Sequence, residues 1–170
     1  MEPFYHIVDN ALTLEQMDAL HDYSRHKFHS GDLHKYHNVE PFHPLIKLAS
    51  QYYGLDDAKF YEVWQQNNDR PKGWHQDKDE VLFQNMDMLS FPLCSTIYYL
   101  HVGDDLVNGK LMIEDPGTGN RDYVEPITNR LVIFGPGIMH YVQQFTGTRH
   151  SVMCNPWPRM IGRINSTPGF

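Results

Sequence analysis

The sequence predicts a mainly β fold (α+β) in which a jelly roll is buttressed by helices near the N-terminus. Two helix-like segments come first, and from Lys59 onward the pattern changes to short strands separated by turns. Helices followed by many closely spaced short strands are typical of such a layered β fold. The 170 residues show no internal repeat and no domain boundary. We therefore expect one domain over 1–170, with helices over about 13–54 and the jelly roll over about 58–157.

The helices are predicted from capping signals and apolar spacing. Thr13 begins the first helix, because Gln16 three residues later completes a capping box. Pro44 suits the first turn of the second helix, and Gly54 is placed to cap its C-terminus. Between the two helices, residues 26–43 are polar and aromatic, and we interpret them as a solvated loop rather than a metal site.

Strand candidates follow, because aromatic and β-branched residues recur between turn residues. They are Phe60–Asn67, Ser95–Val102, Lys110–Glu114, Tyr123–Ile127, Arg130–Phe134, His140–Phe145 and Arg149–Cys154, with a short edge strand expected earlier at Phe4–Val8. Alternation along the second candidate places Ile97, Tyr99 and His101 on one face. Residues 78–91 have no clear period, and two interpretations stay open for them: a lid over the site or a well-packed connector.

Composition limits the function. With 14 basic and 21 acidic residues the net charge is −7, which gives no electrostatic reason to bind nucleic acid or an anionic membrane. No apolar run approaches membrane-spanning length and no signal peptide is recognisable, so we expect a soluble, cytoplasmic protein, and a monomer. Cys94 and Cys154 lie in strand-like runs, which favours buried free thiols over a disulfide.

A candidate metal site centres on His75 and Asp77. If extended geometry continues from the strand before them, the two-residue side-chain period points both to the same side. His140, on a later strand, offers a third ligand. In a chain with 11 histidines, any one of these residues alone would more often be an ordinary surface or core residue. Together, two histidines and one carboxylate with open positions form the ligand set of non-haem Fe(II) oxygenases.

A candidate carboxylate site centres on Arg149 and Ser151. Both point to the same side of a strand, and a guanidinium beside a hydroxyl makes a fixed fork that binds a carboxylate through two hydrogen bonds. A tyrosine of the Ser95–Val102 strand could add its hydroxyl to the same carboxylate.

These residues together resemble the 2-oxoglutarate- and Fe(II)-dependent dioxygenases, and the resemblance covers about Phe60 to Trp157. Within that superfamily, the segments Cys94–Leu100, Asn108–Leu111 and Val124–Pro126 look most like prolyl hydroxylases.

The resemblance implies a double-stranded β-helix (cupin-like) and an oxidoreductase that hydroxylates its substrate with release of succinate and CO2. The substrate it implies is a prolyl residue in a peptide or protein. The residues implied for Fe(II) are His75, Asp77 and His140, and those for the co-substrate 2-oxoglutarate are Arg149, Tyr99 and Ser151, with O2 as the oxidant. The substrate-binding candidates are Trp64, Trp74, Asp79 and Glu80.

Other interpretations stay open. Residues 75–80 are similar to a hexapeptide of the nucleic-acid alkylation demethylases, but the stretch 149–155 lacks their second arginine. The acidic charge balance also favours the prolyl-hydroxylase branch. A small-molecule hydroxylase of the same superfamily and a cupin-type isomerase or dioxygenase are further alternatives. A metal-free jelly-roll binding module would instead hold a ligand along Trp64, Trp74 and Tyr61.

Overall fold

A computed structural model describes residues 3–26, 32–35, 40–66 and 73–162 of the chain. In chain order its elements are β1 (Tyr5–Asp9), α1 (Leu14–His26), β2 (Asp32–Lys35), α2 (His43–Ala49), β3 (Phe60–Gln66), α3 (Glu80–Met86), β4 (Ser95–Val102), β5 (Val107–Asn108), β6 (Leu111–Glu114), β7 (Arg121–Val124), β8 (Arg130–Phe134), β9 (His140–Val142), β10 (Phe145–Thr146) and β11 (Arg149–Trp157).

The strands form antiparallel sheets. The largest has six strands in the order β1-β8-β4-β11-β3-β2. A second sheet has three strands in the order β7-β6-β9, and β10 pairs with β5. Every pairing between neighbouring strands is antiparallel. The prediction of a mainly β fold with helices in its N-terminal part is therefore confirmed.

The six-stranded sheet separates two apolar clusters, because successive side chains of a strand point to opposite faces. Along β4, Tyr98 and Leu100 join the cluster on the α1 and α2 side, which we call the helix-side core. Ile97 and Tyr99 join the other cluster, which we call the intersheet core. The three-stranded sheet contributes Leu111, Ile113, Val124 and Val142 to the intersheet core.

The predicted strands have counterparts whose ends differ. Phe4–Val8 corresponds to β1, an edge strand paired with β8. The predicted Tyr123–Ile127 lies earlier, at β7, and the predicted His140–Phe145 is divided into β9 and β10. β11 continues past Cys154 to Trp157, because it pairs with β3 along its whole second half. Asn67 lies outside the described residues.

The helix signals were right at the N-terminal ends and wrong at one C-terminal end. The Thr13 backbone N–H donates to Gln16 Oε1 (3.0 Å) and the Gln16 N–H donates to Thr13 Oγ1 (3.3 Å), which confirms the capping box. Pro44 lies in the first turn of α2, as predicted. The prediction that Gly54 caps α2 is wrong, because the helix ends at Ala49 and the chain then tightens into turns.

Two segments contain structure that the sequence pattern did not indicate. The predicted loop over 26–43 contains β2, which pairs with β3 at the edge of the sheet. Backbone hydrogen bonds hold such an edge strand without requiring an apolar side-chain pattern. Residues 78–91 contain α3, whose residues all remain at least partly exposed. The lid interpretation of this segment stays a prediction.

A β-bulge overturns the expected position of His101. The register between β4 and β11 shifts between His150 and Ser151, so that His101 pairs with His150 and Tyr99 pairs with Ser151. The extra residue on β4 turns His101 away from the face of Tyr99, because each extra residue reverses the side-chain alternation.

The two cysteines are buried and unpaired, as predicted. Burial raises the pKa of the Cys94 thiol to about 12 and raises that of Cys154 as well. Both thiols therefore stay protonated at neutral pH and behave as small apolar groups. Among the described residues, none of the helices has the length and apolarity needed to cross a membrane.

The lowered pKa of His150 predicts how the free energy of unfolding depends on pH. Burial lowers the pKa of His150 from 6.5 to about 4, and nearby His21 and His101 add to the shift. Its Nε2 lies 2.8 Å from Gln65 Oε1. The unfolded chain binds the proton at a higher pH than the folded chain, so stability should fall as pH decreases from about 6.5 to 4.

The measurement is urea unfolding at several pH values. We expect the stability advantage of the wild type over His150→Gln to shrink as the pH decreases through that window. His43→Gln, which replaces an exposed histidine at the start of α2, is the control and should follow the wild type. A constant difference between wild type and His150→Gln would contradict the prediction.

Candidate metal centre and its polar surroundings

An antiparallel bridge brings the two candidate histidines side by side. The His75 N–H donates to the His140 carbonyl (3.0 Å), and the His140 N–H donates to the His75 carbonyl (2.9 Å). The segment that follows β3 thereby becomes an additional partner of β9. The centroids of the two imidazole rings lie 4.3 Å apart.

Asp77 completes a group of three ligand atoms. Its Oδ1 lies 3.8 Å from His75 Nε2 and 3.7 Å from His140 Nε2. The three atoms all lie within 4.8 Å of one another, and no other such group occurs among the described residues. His140 is buried at the edge of the intersheet core, with its ring 4.7 Å from that of Phe134. The side chains predicted as ligands therefore converge.

Backbone carbonyls select the tautomer of both histidines. His75 Nδ1 lies 2.8 Å from the Gly73 carbonyl, and His140 Nδ1 lies 3.0 Å from the Ile138 carbonyl. Since a carbonyl only accepts hydrogen bonds, each Nδ1 must carry the hydrogen. The lone pair is then on Nε2, the atom that faces Asp77, which is the arrangement that metal-binding histidines use.

The surroundings of Asp77 favour its charged form. Burial alone would raise the pKa of this carboxyl, but the combined effect of its neighbours lowers it. His140 contributes most, followed by a hydrogen bond from Ser95, then His75 and Asn155. A carboxylate held in its ionised form, facing the Nε2 atoms of both histidines, is in the form that binds a cation.

The second candidate group centres on a buried guanidinium. Arg149 is 2 % exposed, and its Nη1 donates to Ser151 Oγ at 3.1 Å. Gln66 Oε1 lies 3.5 Å from the same nitrogen. The guanidinium carbon lies 5.0 Å from the ring centroid of Tyr99 and 5.4 Å from that of Phe145.

This group has hydrogen-bond capacity that the described residues do not use. Arg149 Nε, Arg149 Nη2 and Tyr99 Oη are buried and have no hydrogen-bond partner among the described residues. Within the described part of the chain, no carboxylate forms an ion pair with Arg149. A buried charge without a counter-ion is costly, so these donors fit a bound anion.

Close packing shapes the space beside Arg149. Gly109 has a φ of +82°, and a Cβ built there would lie 3.2 Å from Arg149 Cδ and 3.2 Å from Phe145 Cβ. A side chain at this position would therefore push against the guanidinium stem as well as strain the backbone.

The predicted substrate residues have different contacts in the structure. Trp64 packs against the intersheet core. Trp74 lies next to His75, with its ring 4.6 Å from that of Tyr141. Glu80 is 3.3 Å from Lys78 Nζ. Their roles in substrate binding stay predictions.

Asp79 is enclosed by the protein itself. It is 2 % exposed, its Oδ1 accepts from the Leu82 N–H (3.0 Å), and its Oδ2 accepts from Arg159 (3.1 Å). The carboxylate therefore caps α3 and holds the segment that follows β11, which leaves little of it to contact a substrate.

Sequence reasoning missed Asn155, which is fully buried on β11 and donates to Asp77 Oδ2 at 2.9 Å. Its side-chain parity with Arg149 and Ser151 was a usable signal, because alternate residues of a strand share a face. It also missed Gln66, which the predicted strand contained but which no motif distinguished.

Comparison with known proteins supports the fold. No family model matches the chain, and no curated protein sequence matches it. Among solved structures it is similar to a prolyl-4-hydroxylase from Pseudomonas putida, with a TM-score of 0.64, 16% identity and coverage of 92% of this chain and 94% of that chain.

It is also similar to HygX from Streptomyces hygroscopicus with nickel and 2-oxoglutarate bound, with a TM-score of 0.57, 8% identity and coverage of 91% and 83% of the two chains. A third is a prolyl hydroxylase from Trichoplax adhaerens in complex with a hypoxia inducible factor oxygen degradation domain peptide fragment, with a TM-score of 0.55, 17% identity and coverage of 91% and 84%. The chain therefore has the fold that these three proteins share.

Removal of Asp77 tests whether the converging atoms bind metal. In Asp77→Ala we expect Mn(II) affinity to fall by more than the ~10–100-fold typical of losing an outer hydrogen-bond partner. The fold should persist, because neither apolar core contains Asp77. Isothermal titration with Mn(II) and circular dichroism measure the two effects. Asp56→Ala, at an exposed site before β3, is the control, and equal affinities in the two variants would contradict the assignment.

Proposed function

We propose that the protein is an Fe(II)- and 2-oxoglutarate-dependent dioxygenase. The observation that carries the proposal is the pairing of two groups beside one intersheet core: three converging ligand atoms and a buried guanidinium with unused donors. Two histidines and one carboxylate suit non-haem iron. A buried arginine suits the distal carboxylate of a keto diacid, because its planar fork binds a carboxylate through two hydrogen bonds.

Each residue has a defined role in this proposal. His75, Asp77 and His140 would hold Fe(II), which together with 2-oxoglutarate and O2 supplies the oxidising chemistry that hydroxylates a C–H bond and releases succinate and CO2. Arg149 would bind the distal carboxylate of 2-oxoglutarate, with Tyr99 donating its hydroxyl. Ser151 orients the guanidinium by accepting from Nη1. The apolar lining around these groups excludes water and strengthens the charge pairing.

The proposal also extends to the arrangement of the sheets. We infer that the antiparallel sheets form a double-stranded β-helix and that 1–170 act as one catalytic domain. The two sheets share the intersheet core, and strands of both supply the site, which supports this description.

We infer that the substrate is a prolyl residue in a peptide or protein. Two of the similar structures are prolyl hydroxylases, and one of them was solved with a peptide fragment. The net charge of −7 gives little attraction for phosphates. The demethylase alternative uses the acidic residues after the metal motif to read a base, but Asp79 is engaged with α3 and Arg159.

The substrate class is tested by turnover. Anaerobic addition of Fe(II) and 2-oxoglutarate should produce a weak visible charge-transfer band. With O2, succinate formation should be stimulated by proline-rich peptides, and mass spectrometry should find an added oxygen on the prolyl residue. Neither a jelly-roll binding module nor a cupin-type isomerase would show these signals. Methyl removal from an alkylated base, or tight DNA binding with a steep salt dependence, would favour the demethylase alternative.

Substitution of Arg149 tests the co-substrate site. Removing one partner of a buried charge pair costs roughly 3–5 kcal/mol, so Arg149→Leu should weaken 2-oxoglutarate binding by about 10²–10³-fold or more. Mn(II) affinity should change little, because the metal-facing atoms remain. Titration of the Mn(II)-loaded protein with 2-oxoglutarate measures the effect. Arg130→Leu, which removes an ion pair with Asp9, is the control, and an unchanged affinity in Arg149→Leu would reject the assignment.

A further inference from the structure

The two carboxylate oxygens of Asp77 have different surroundings. Oδ1 faces the Nε2 atoms of both histidines, at 3.8 Å from His75 and 3.7 Å from His140. Oδ2 instead accepts a hydrogen bond of 2.9 Å from Asn155 Nδ2. The carboxylate therefore presents one oxygen to the histidines while a neighbouring strand holds the other.

The orientation of the Asn155 amide follows from its second contact. Its Oδ1 accepts a hydrogen bond of 2.9 Å from the backbone N–H of Thr96. A backbone N–H can only donate, so the oxygen must be on that side and the NH2 group must face Asp77. Asn155 is also fully buried on β11, and its contact with Thr96 reaches across to β4. The donor toward Asp77 is thus fixed by the sheet rather than by a mobile side chain.

We propose that Asn155 is a positioning residue that limits Asp77 to one metal-binding oxygen. The proposal rests on the proposed function, because it assumes a metal at His75, Asp77 and His140. Binding through both oxygens would require the carboxylate to turn so that Oδ2 also faces the two Nε2 atoms, which moves Oδ2 away from the fixed Asn155 amide. That amide would then be a buried donor without a partner, which is unfavourable.

Binding through a single Asp77 oxygen determines how many coordination positions of the metal stay open. Three single-atom ligands occupy half of an octahedral coordination sphere and leave the other half open. A keto acid that chelates the metal takes two of the open positions, so another remains. If Asp77 bound through both oxygens, chelation by the keto acid would fill the sphere. Asn155 therefore keeps open the position that the proposed chemistry requires beyond keto acid binding.

The number of metal-bound waters tests this role without any turnover. Mn(II) adopts octahedral geometry with nitrogen and oxygen ligands, and its effect on water-proton relaxation scales with the number of exchangeable waters it holds. Wild type saturated with Mn(II) should hold about three waters. In Asn155→Ala we expect the bound-metal relaxivity to fall to about two-thirds of the wild-type value, because Oδ2 loses the amide donor and can then replace one water.

Two further variants keep the test decisive. Asn155→Leu keeps a side chain of similar volume but has no donor, so it should show the same fall even if Asn155→Ala does not fold. Thr96→Val is the matched control. The Thr96 hydroxyl bonds the backbone of Cys154 between the same two strands and does not touch Asp77. Its loss should leave the relaxivity at the wild-type value.

The outcomes separate the two proposals. Wild-type relaxivity in a folded Asn155→Leu overturns the positioning role, and so does an equal fall in Thr96→Val, because strand packing would then explain the effect. Failure of the wild type to bind Mn(II) rejects the proposed function itself. A fall in both Asn155 variants with no fall in Thr96→Val supports the proposal.

Discussion

The reciprocal hydrogen bonds between His75 and His140 are the constraint on which the site depends. They join the segment after β3 to β9, so two histidines far apart in sequence present their rings side by side. The same short stretch delivers Asp77 on the face of His75, as the two-residue period requires. Because both Nδ1 atoms are held by backbone carbonyls, each imidazole is oriented before any metal binds, and binding loses little conformational entropy.

Strand β11 contributes residues both to the two apolar cores and to the site. Its alternation places Val152 and Cys154 in the helix-side core and Met153 in the intersheet core. Two odd-numbered residues of the same strand supply polar groups to the site: Arg149 at its start and Asn155 near its end. One strand, buried on both faces in the middle of the six-stranded sheet, thus fixes the guanidinium and the amide that supports Asp77 relative to each other.

Much of this could be predicted because it follows from local periodicity. The parity of His75 and Asp77, the capping box at Thr13 and the strand-like runs were all visible in the sequence. The position of His101 was not, because a single extra residue in β4 reverses alternation and leaves no compositional trace. β2 and α3 were missed for a related reason: backbone pairing and the Asp79 cap stabilise them without a regular apolar pattern.

The distribution of unsatisfied polar atoms also distinguishes the two sides of the sheet. On the helix side, Gln65 accepts from Ser24 at 2.7 Å and lies within hydrogen-bond distance of His150, so these partly buried polar groups stabilise one another. In the described residues, all buried side-chain atoms without a partner belong to Tyr99 and Arg149. Each such atom costs about 1–3 kcal/mol unless something binds it. Within the described ranges, buried polar side chains have partners elsewhere, while three donor atoms of Arg149 and Tyr99 have none. This part of the chain is therefore arranged to gain stability when an anion binds there.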